Sequence, residues 1–164
     1  MALPKVFDTS ALISWPLDSL EGGFAVDGQR SEVERISPSR VLTLEAARIK
    51  WSSPTEESVK EARKIAIETG DLDGLSITDL HLFALAVELG GRMHTDDYRL
   101  QNLCGSIGLQ WRPVETKGIT KIWLWEIRCQ GCGILHEGSE ETRAAGKGIG
   151  ECKFCGSELK IVKK

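Results

Sequence analysis

The sequence predicts an α/β fold in which a parallel sheet flanked by helices is followed by a small four-cysteine zinc ribbon. Three observations carry that expectation. Short apolar runs alternate with amphipathic helical stretches over the first two-thirds of the chain, the pattern of a parallel sheet covered on both faces. Acidic residues stand directly after several of those runs. Four of the five cysteines lie beyond residue 128, all in two C-x-x-C pairs. At 164 residues the chain has room for one domain with its own core plus a small module, and not for two full-sized domains.

The first apolar run, LPKVF at 3–7, reads as a strand ending at Asp8, with Asp8 or Thr9 placed to cap the helix begun by the following residues. Gly22-Gly23 breaks the chain before GFAV, and charged helical sequence then runs to the Ser37-Pro38 punctuation. A helix restarts there with Leu42, Leu44, Ala46 and Ala47 as its apolar positions, and residues 48–51 form a short strand candidate. Between Pro54-Thr55 and Gly70, Val59, Ala62, Ile65 and Ala66 recur at helical spacing. The stretch 75–91 is apolar nearly all round. Ser76 stands three residues before Asp79 as in a capping box, and Gly90-Gly91 ends the segment, so this should be the most buried helix. Residues 92–95 read as a strand ending in Asp96-Asp97, the next dozen as a helix, and GLQWRPV as a last strand. The predicted division is a body over 1–113, a linker over 114–121 and a ribbon over 122–164.

With 41% hydrophobic and 27% charged residues the composition is that of a soluble globular protein, which excludes disordered and membrane classes. No run approaches the roughly 18 apolar residues needed to cross a bilayer, and residues 1–15 lack a basic stretch leading into an apolar one. A cytoplasmic protein without membrane partners is expected, and paired cysteines in that reducing setting indicate metal and not disulfides. The net charge is −3. Residues 1–125 hold 14 basic against 18 acidic side chains, and residues 126–164 hold 7 against 6. An acidic body repels polyanions unless its carboxylates are gathered to hold cations.

Cys129 and Cys132 form one C-x-x-C-Gly unit and Cys152 and Cys155 the other, with 19 residues between. Two thiolates at this spacing grip one tetrahedral ion, and Gly133 and Gly156 permit the tight turn. Four sulfurs close the coordination sphere, so the zinc is expected to be structural; iron in a rubredoxin-like site shares the spacing. So short a module with few apolar residues should not fold without its metal. Its basic residues Arg143, Lys147, Lys153, Lys160, Lys163 and Lys164, with Phe154, suit a grip on nucleic acid or on protein equally. Cys104, in a small-residue helical stretch, reads as a buried structural thiol.

Asp8, Asp79 and Asp97 come from distant sequence but fall at strand or helix ends, which a parallel sheet brings to one crevice. Taken singly, Asp79 reads as a capping-box partner and Asp96 or Asp97 as a helix N-terminal acid. Taken together, assembled carboxylates call for Mg²⁺ or Mn²⁺, which activates water and steadies a phosphate oxyanion.

The order of DTSALI at 8–13, SITDLHLFALAVELG at 76–90 and HTDDYRLQN at 94–102 resembles the PIN nuclease family. That resemblance implies a parallel sheet and an acid cluster that binds Mg²⁺ or Mn²⁺ and hydrolyses single-stranded RNA. More narrowly, GDLDGLSITD at 70–79, TDDYRLQN at 95–102 and the ribbon are similar to family members that trim the 3′ end of small-subunit ribosomal RNA. Carried over by position, Asp8, Asp79 and Asp97 match the family's acids. The family's Gly-rich turn, apolar stretch and Glu-Val fit GGFAVDGQRSEV at 22–33 and nominate Glu32 as the fourth, although residues 27–30 are more polar than the pattern; Glu34 and Glu45 remain alternatives. Asp96 is an added candidate for contact with the ion through water. His81 and His94 are assigned structural roles and His136 none.

The resemblance further implies in-line attack of water on a backbone phosphate, leaving a 5′ phosphate and a 3′ hydroxyl. Precursor small-subunit ribosomal RNA would be the substrate, with the pre-ribosomal small subunit and its assembly proteins as partners. Two competing readings are a toxin-type PIN ribonuclease, disfavoured by the ribbon because those are usually bare domains, and an RNA- or ribosome-binding adaptor with an inactive PIN domain. A phosphorelay receiver is disfavoured, since neither an acidic pair at the first strand nor a late lysine is evident.

Overall fold

The structure is a computed structural model describing residues 2–122, 124–136 and 150–163. Among the described residues, five short strands build one wholly parallel sheet in the order β3-β2-β1-β4-β5. These are β1 (Lys5–Phe7), β2 (Phe24–Val26), β3 (Lys50–Ser52), β4 (Arg92–His94) and β5 (Trp111–Arg112). The chain steps outward from β1 to β3, then returns to the other side of β1. Strand order therefore reverses between β1 and β4, where Lys5 pairs with Arg92, Val6 with Met93 and Phe7 with His94. At such a switch point the connections leave in opposite directions and a crevice opens beyond the carboxyl ends. The residues that follow these two strands are Asp8 and Thr95 to Asp97.

Alternation along the strands divides the core. Val6, Val26 and Met93 point into one layer, closed by α5 (Glu56–Thr69), α6 (Ile77–Leu89) and α7 (Tyr98–Ser106) through Ala62, Ala66, Leu82, Phe83, Leu100 and Leu103. Phe7 and Ala25 point into the other, against α1 (Thr9–Ser14), α2 (Leu17–Leu20), α3 (Gly28–Ile36) and α4 (Pro38–Ala46), through Leu12, Leu20, Val33 and Leu44. Six residues of α6 between Leu80 and Ala86 are buried, all but His81, as its all-round apolarity requires. Its ends are punctuated as the sequence indicates: the Asp79 amide donates to Ser76 Oγ at 3.0 Å, and Gly90 takes a left-handed φ of 58°. Cys104 is fully buried in α7.

Three local expectations need correction. In α4 only Leu44 and Ala47 of the four nominated apolar positions are buried; Ala46 is exposed and Leu42 is 77% exposed, because the helix lies on the surface with one narrow stripe inward. The strand candidate at 48–51 begins at Lys50, since Arg48 adopts a positive φ of 52° that turns the chain out of α4 first. A short α2 follows Pro16, in sequence too brief to show periodicity.

The ribbon is a second, antiparallel sheet in the order β7-β6-β8, formed by β6 (Trp125–Cys129), β7 (Leu135–His136) and β8 (Leu159–Lys163). Its core is small: Ile127, Cys129, Cys152 and Leu159, with Ile161 against them. Arg143, Lys147 and Lys164 lie outside the described residues. The stretch 114–121 is tied along the body and does not hang free. Asp96 accepts from the amides of Val114, Glu115 and Thr116, and Gln101 Oε1 accepts from the Ile119 amide at 2.9 Å. Trp125 then places its backbone carbonyl against Gly70 and its indole 5.9 Å from the Arg99 guanidinium, beside a cavity of about 190 Å³ lined by Asp71, Tyr98, Arg99, Asn102 and Trp125.

Candidate active site and metal centre

Asp8 leaves the end of β1 as the N-cap of α1. Its amide donates to the His94 carbonyl at 3.0 Å, which extends the β1–β4 pairing by one residue. One carboxylate oxygen accepts from the Thr9 amide at 2.7 Å and the other from the Thr95 hydroxyl at 2.6 Å. Thr95 is fully buried, and its hydroxyl also accepts from the Asp97 amide at 2.9 Å. Asp97 caps α7 by accepting from the Arg99 amide at 2.8 Å. One threonine thus fixes the spacing between two acids that are 89 positions apart in sequence. Asp79 enters from the first turn of α6, where it is both capping-box partner of Ser76 and a member of the acid group. Glu32, on α3, accepts from the Thr9 hydroxyl at 2.6 Å.

The charges of these groups bear on one another. Burial pushes the Asp8 carboxyl up to about 6; hydrogen bonds from Thr95 and Thr9 oppose this, and the charges of Asp79 and Asp97 add to it. Asp79 is raised by burial and by the charges of Asp97 and Glu32, against the hydrogen bonds from Ser76. The structure brings Asp8, Asp79, Asp97 and Glu32 into one neighbourhood, whereas Glu34 is exposed and Glu45 forms a surface ion pair with Arg30. Asp96 faces elsewhere: the amides of residues 114–116 and the Thr116 hydroxyl bind its carboxylate and hold it below the usual range, although burial pulls the other way. The donor set is all hard oxygen and carries unrelieved negative charge, which fits a divalent cation of the Mg²⁺ or Mn²⁺ kind. Among the described residues, no three acids bring oxygens within 4.8 Å of one another; the acids frame an open site.

His94 is packed among aromatic rings, against Phe7 at 5.5 Å and Trp15 at 5.0 Å, and among the described residues neither of its nitrogens is hydrogen-bonded. Burial, with Arg92, Lys5 and Arg112 nearby, pushes it down to about 4, so it is neutral near pH 7.

In the ribbon the sulfurs of Cys129, Cys132, Cys152 and Cys155 all lie within 4.8 Å of one another. Cys129 and Cys155 are 3.4 Å apart and Cys132 and Cys152 are 3.7 Å apart, near the roughly 3.8 Å edge of a tetrahedron with 2.3 Å zinc–sulfur bonds. Amides of Gly131 and Cys132 donate to Cys129 Sγ, and that of Phe154 donates to Cys152 Sγ. The Ser157 hydroxyl and amide bring Cys155 down to about 6, readying it as a thiolate. His136 Nε2 lies 3.2 Å from Cys152 Sγ, a contact to a cysteine already in the four-sulfur set.

Residues 6–89 match the family model described as the PIN domain of ribonuclease. The chain belongs to the PIN-domain ribonuclease family. Its PIN domain and ribbon together are 32% identical to Endoribonuclease Nob1 of Methanothermobacter thermautotrophicus, covering 96% of this chain and 91% of that one. Endoribonuclease Nob1 of Pyrococcus abyssi is also 32% identical, over 99% and 95%. Ribonuclease VapC1 of Thermoplasma acidophilum is 32% identical over 94% of this chain and 76% of its own.

Three residues that build the PIN site are given no part in it by the sequence reading. Thr9 is read there only as an alternative helix cap, and the only signal for Thr95 is that it stands next to an acid. Gln29 is fully buried; its Oε1 accepts from the Val26 amide at 2.8 Å and its Nε2 donates to the Phe7 carbonyl at 2.8 Å. It satisfies backbone groups at the ends of β1 and β2 and sets α3, hence Glu32, beside Thr9. The polarity of residues 27–30 that departs from the family pattern is partly this glutamine.

Proposed function

We propose that the chain is a divalent-metal-dependent endoribonuclease that cleaves single-stranded precursor ribosomal RNA at the 3′ end of the small-subunit RNA during ribosome maturation. The observation that carries this reading is the mutual bracing of Asp8 and Asp97 by buried Thr95 beside Asp79 and Glu32. Supporting the substrate is similarity to the Nob1 endoribonucleases that runs nearly end to end and so includes the ribbon. When bound, Mg²⁺ or Mn²⁺ would supply positive charge for the phosphate and acidify water. Asp8, Asp79 and Asp97 would hold that ion, with Glu32 completing the acidic wall. Thr95 ties the Asp8 carboxylate to the backbone amide of Asp97, and Thr9 joins Asp8 and Glu32 through its amide and hydroxyl. The ribbon, braced by structural zinc, would dock the particle RNA or an assembly protein.

The toxin-type reading is favoured by one observation: the relative named Ribonuclease VapC1 matches 94% of this chain, so length alone does not make the ribbon a discriminator. The test is incubation of the full chain with a labelled RNA spanning the 3′ end of the small-subunit RNA, and with bulk transfer RNA, in Mn²⁺, Mg²⁺ or EDTA. One discrete cut bearing a 5′ phosphate on the ribosomal fragment, lost in EDTA, is expected. Equal or preferential cutting of transfer RNA supports the toxin reading, and no cutting of either supports an inactive adaptor.

A further inference from the structure

Among the described residues, the helices with the main contacts to the β4–β5 half of the sheet lie on one side, while the other side is closed over Phe7 and His94 by Trp15. Those packed on β4 and β5 are α6 and α7, both in the layer that receives Met93 and Trp111. On the opposite side, Lys5 and Arg92 stand side by side in register on β1 and β4, and Arg112 stands on β5 in register with His94. Alternation puts these three cations on the face of Phe7 and His94. Lys5 and Arg112 are exposed and Arg92 is half-exposed. Lys5 Nζ donates to the Ser19 carbonyl and Arg92 donates to Gln110 Oε1; among the described residues none of the three has a carboxylate partner. From strand spacing and rise, the Lys5 to Arg112 span is roughly 12 Å between α-carbons.

The stripe points at the acids. The Arg112 carbonyl accepts from the Thr95 amide at 3.0 Å, and the Thr95 hydroxyl holds Asp8. Partly exposed Trp15 lies on the same face, its ring 5.0 Å from His94. In a body with more acidic than basic side chains, three cations at the solvent-facing margin of this face, without carboxylate partners among the described residues, make a patch that a polyanion would meet favourably.

We propose that Lys5, Arg92 and Arg112 form a phosphate-binding stripe that holds the backbone of single-stranded RNA as it runs to or from the acid crevice. The inference rests on the ribonuclease reading for its substrate, but its readout is binding. A labelled 12-nucleotide single-stranded RNA is titrated with the full chain at 50–200 mM KCl without divalent cations, using wild type, Lys5→Ala/Arg92→Ala/Arg112→Ala, and a Lys60→Ala/Lys64→Ala control on α5. Three phosphate contacts at about −0.7 each predict that the triple variant's salt slope is shallower by about 2, with affinity weaker on the order of 10- to 100-fold at low salt. With Mn²⁺, KM should rise while kcat stays within about threefold. Lys5→Ala/Arg112→Ala leaves the Arg92–Gln110 contact in place and should show about two-thirds of the slope change, which guards against misfolding of the triple variant. An unchanged slope, or an equal drop in the α5 control, overturns the stripe; in the first case an acidic protein is the better occupant. A stripe-dependent slope in a wild type that cuts no RNA would keep the stripe and refute the nuclease.

Discussion

Thr95 is a small side chain with two obligations, donating to Asp8 and accepting from the Asp97 amide inside the protein. Thr95→Val keeps the shape and removes both bonds, so it should cost about 1–3 kcal/mol in denaturant unfolding and lower cleavage at least about tenfold, while Thr95→Ser retains most of both. Asp8→Asn, Asp79→Asn and Asp97→Asn are each expected to reduce cleavage by orders of magnitude with little loss of melting temperature, because each removes charge from a self-repelling group. Near-native turnover in all three would sink the acid site. The pH dependence carries two opposed signs. Asp8, raised to about 6, holds its proton more tightly folded than unfolded, so its contribution to stability falls as pH rises from about 4 to 6. His94, lowered to about 4, sheds its proton on folding, so its contribution rises between about 4 and 6.5. Because other carboxyls shift as well, the sign is read from the difference: without metal, the stability of Asp8→Asn relative to wild type should rise with pH from about 4 to 6, and parallel curves would refute the Asp8 shift. The acids were legible because carboxylates after apolar runs are visible locally. Thr95 was not, because its partner is 87 residues away and only the fold supplies it.

At the level of elements, capping and periodicity anticipated α5 and α6 closely. Pro54-Thr55, Ser76, Gly70 and Gly90 act through bonds that span three or four residues, and such bonds are written in local sequence. Leu42 was misjudged because a nine-residue surface helix offers too few turns to separate a buried stripe from an exposed one. Ribbon strands β6, β7 and β8 have another dependence. Their shared core is four buried residues, two of them cysteines, so metal is expected to be a condition of their folding. Protein prepared without chelator should carry one zinc per chain. Stripping it should erase amide-exchange protection over 125–129 and 159–163 and leave α5, α6 and α7 protected. Retained protection throughout, or no tightly bound zinc or iron, would refute the dependence.

Across the whole molecule, strand order does what no single segment announces: reversal at β1 and β4 gathers acids from the beginning, middle and end of the body. The alternating pattern made the parallel sheet legible. The tethering of 114–121 was not, since it depends on Asp96, a residue nominated for the ion, turning its carboxylate to backbone amides instead. A chain ending near Lys121 should lose most affinity for ribosomal RNA fragments at matched salt yet keep slow, cation-dependent cutting of short single strands. Undiminished affinity would make the ribbon a protein-docking module.

Gly70 and Gly90 both end helices in the left-handed conformation, with φ of 81° and 58°. Their freedom to drift is unequal. A side-chain carbon at 90 would enter open space, so Asn there meets only the modest backbone cost of that conformation. A side-chain carbon at 70 would meet the Trp125 carbonyl, so every replacement must also push the ribbon off the body. In a library selected for activity, position 90 should accept Asn while position 70 stays glycine, and a substitution that survives at 70 should be accompanied by changes around Trp125.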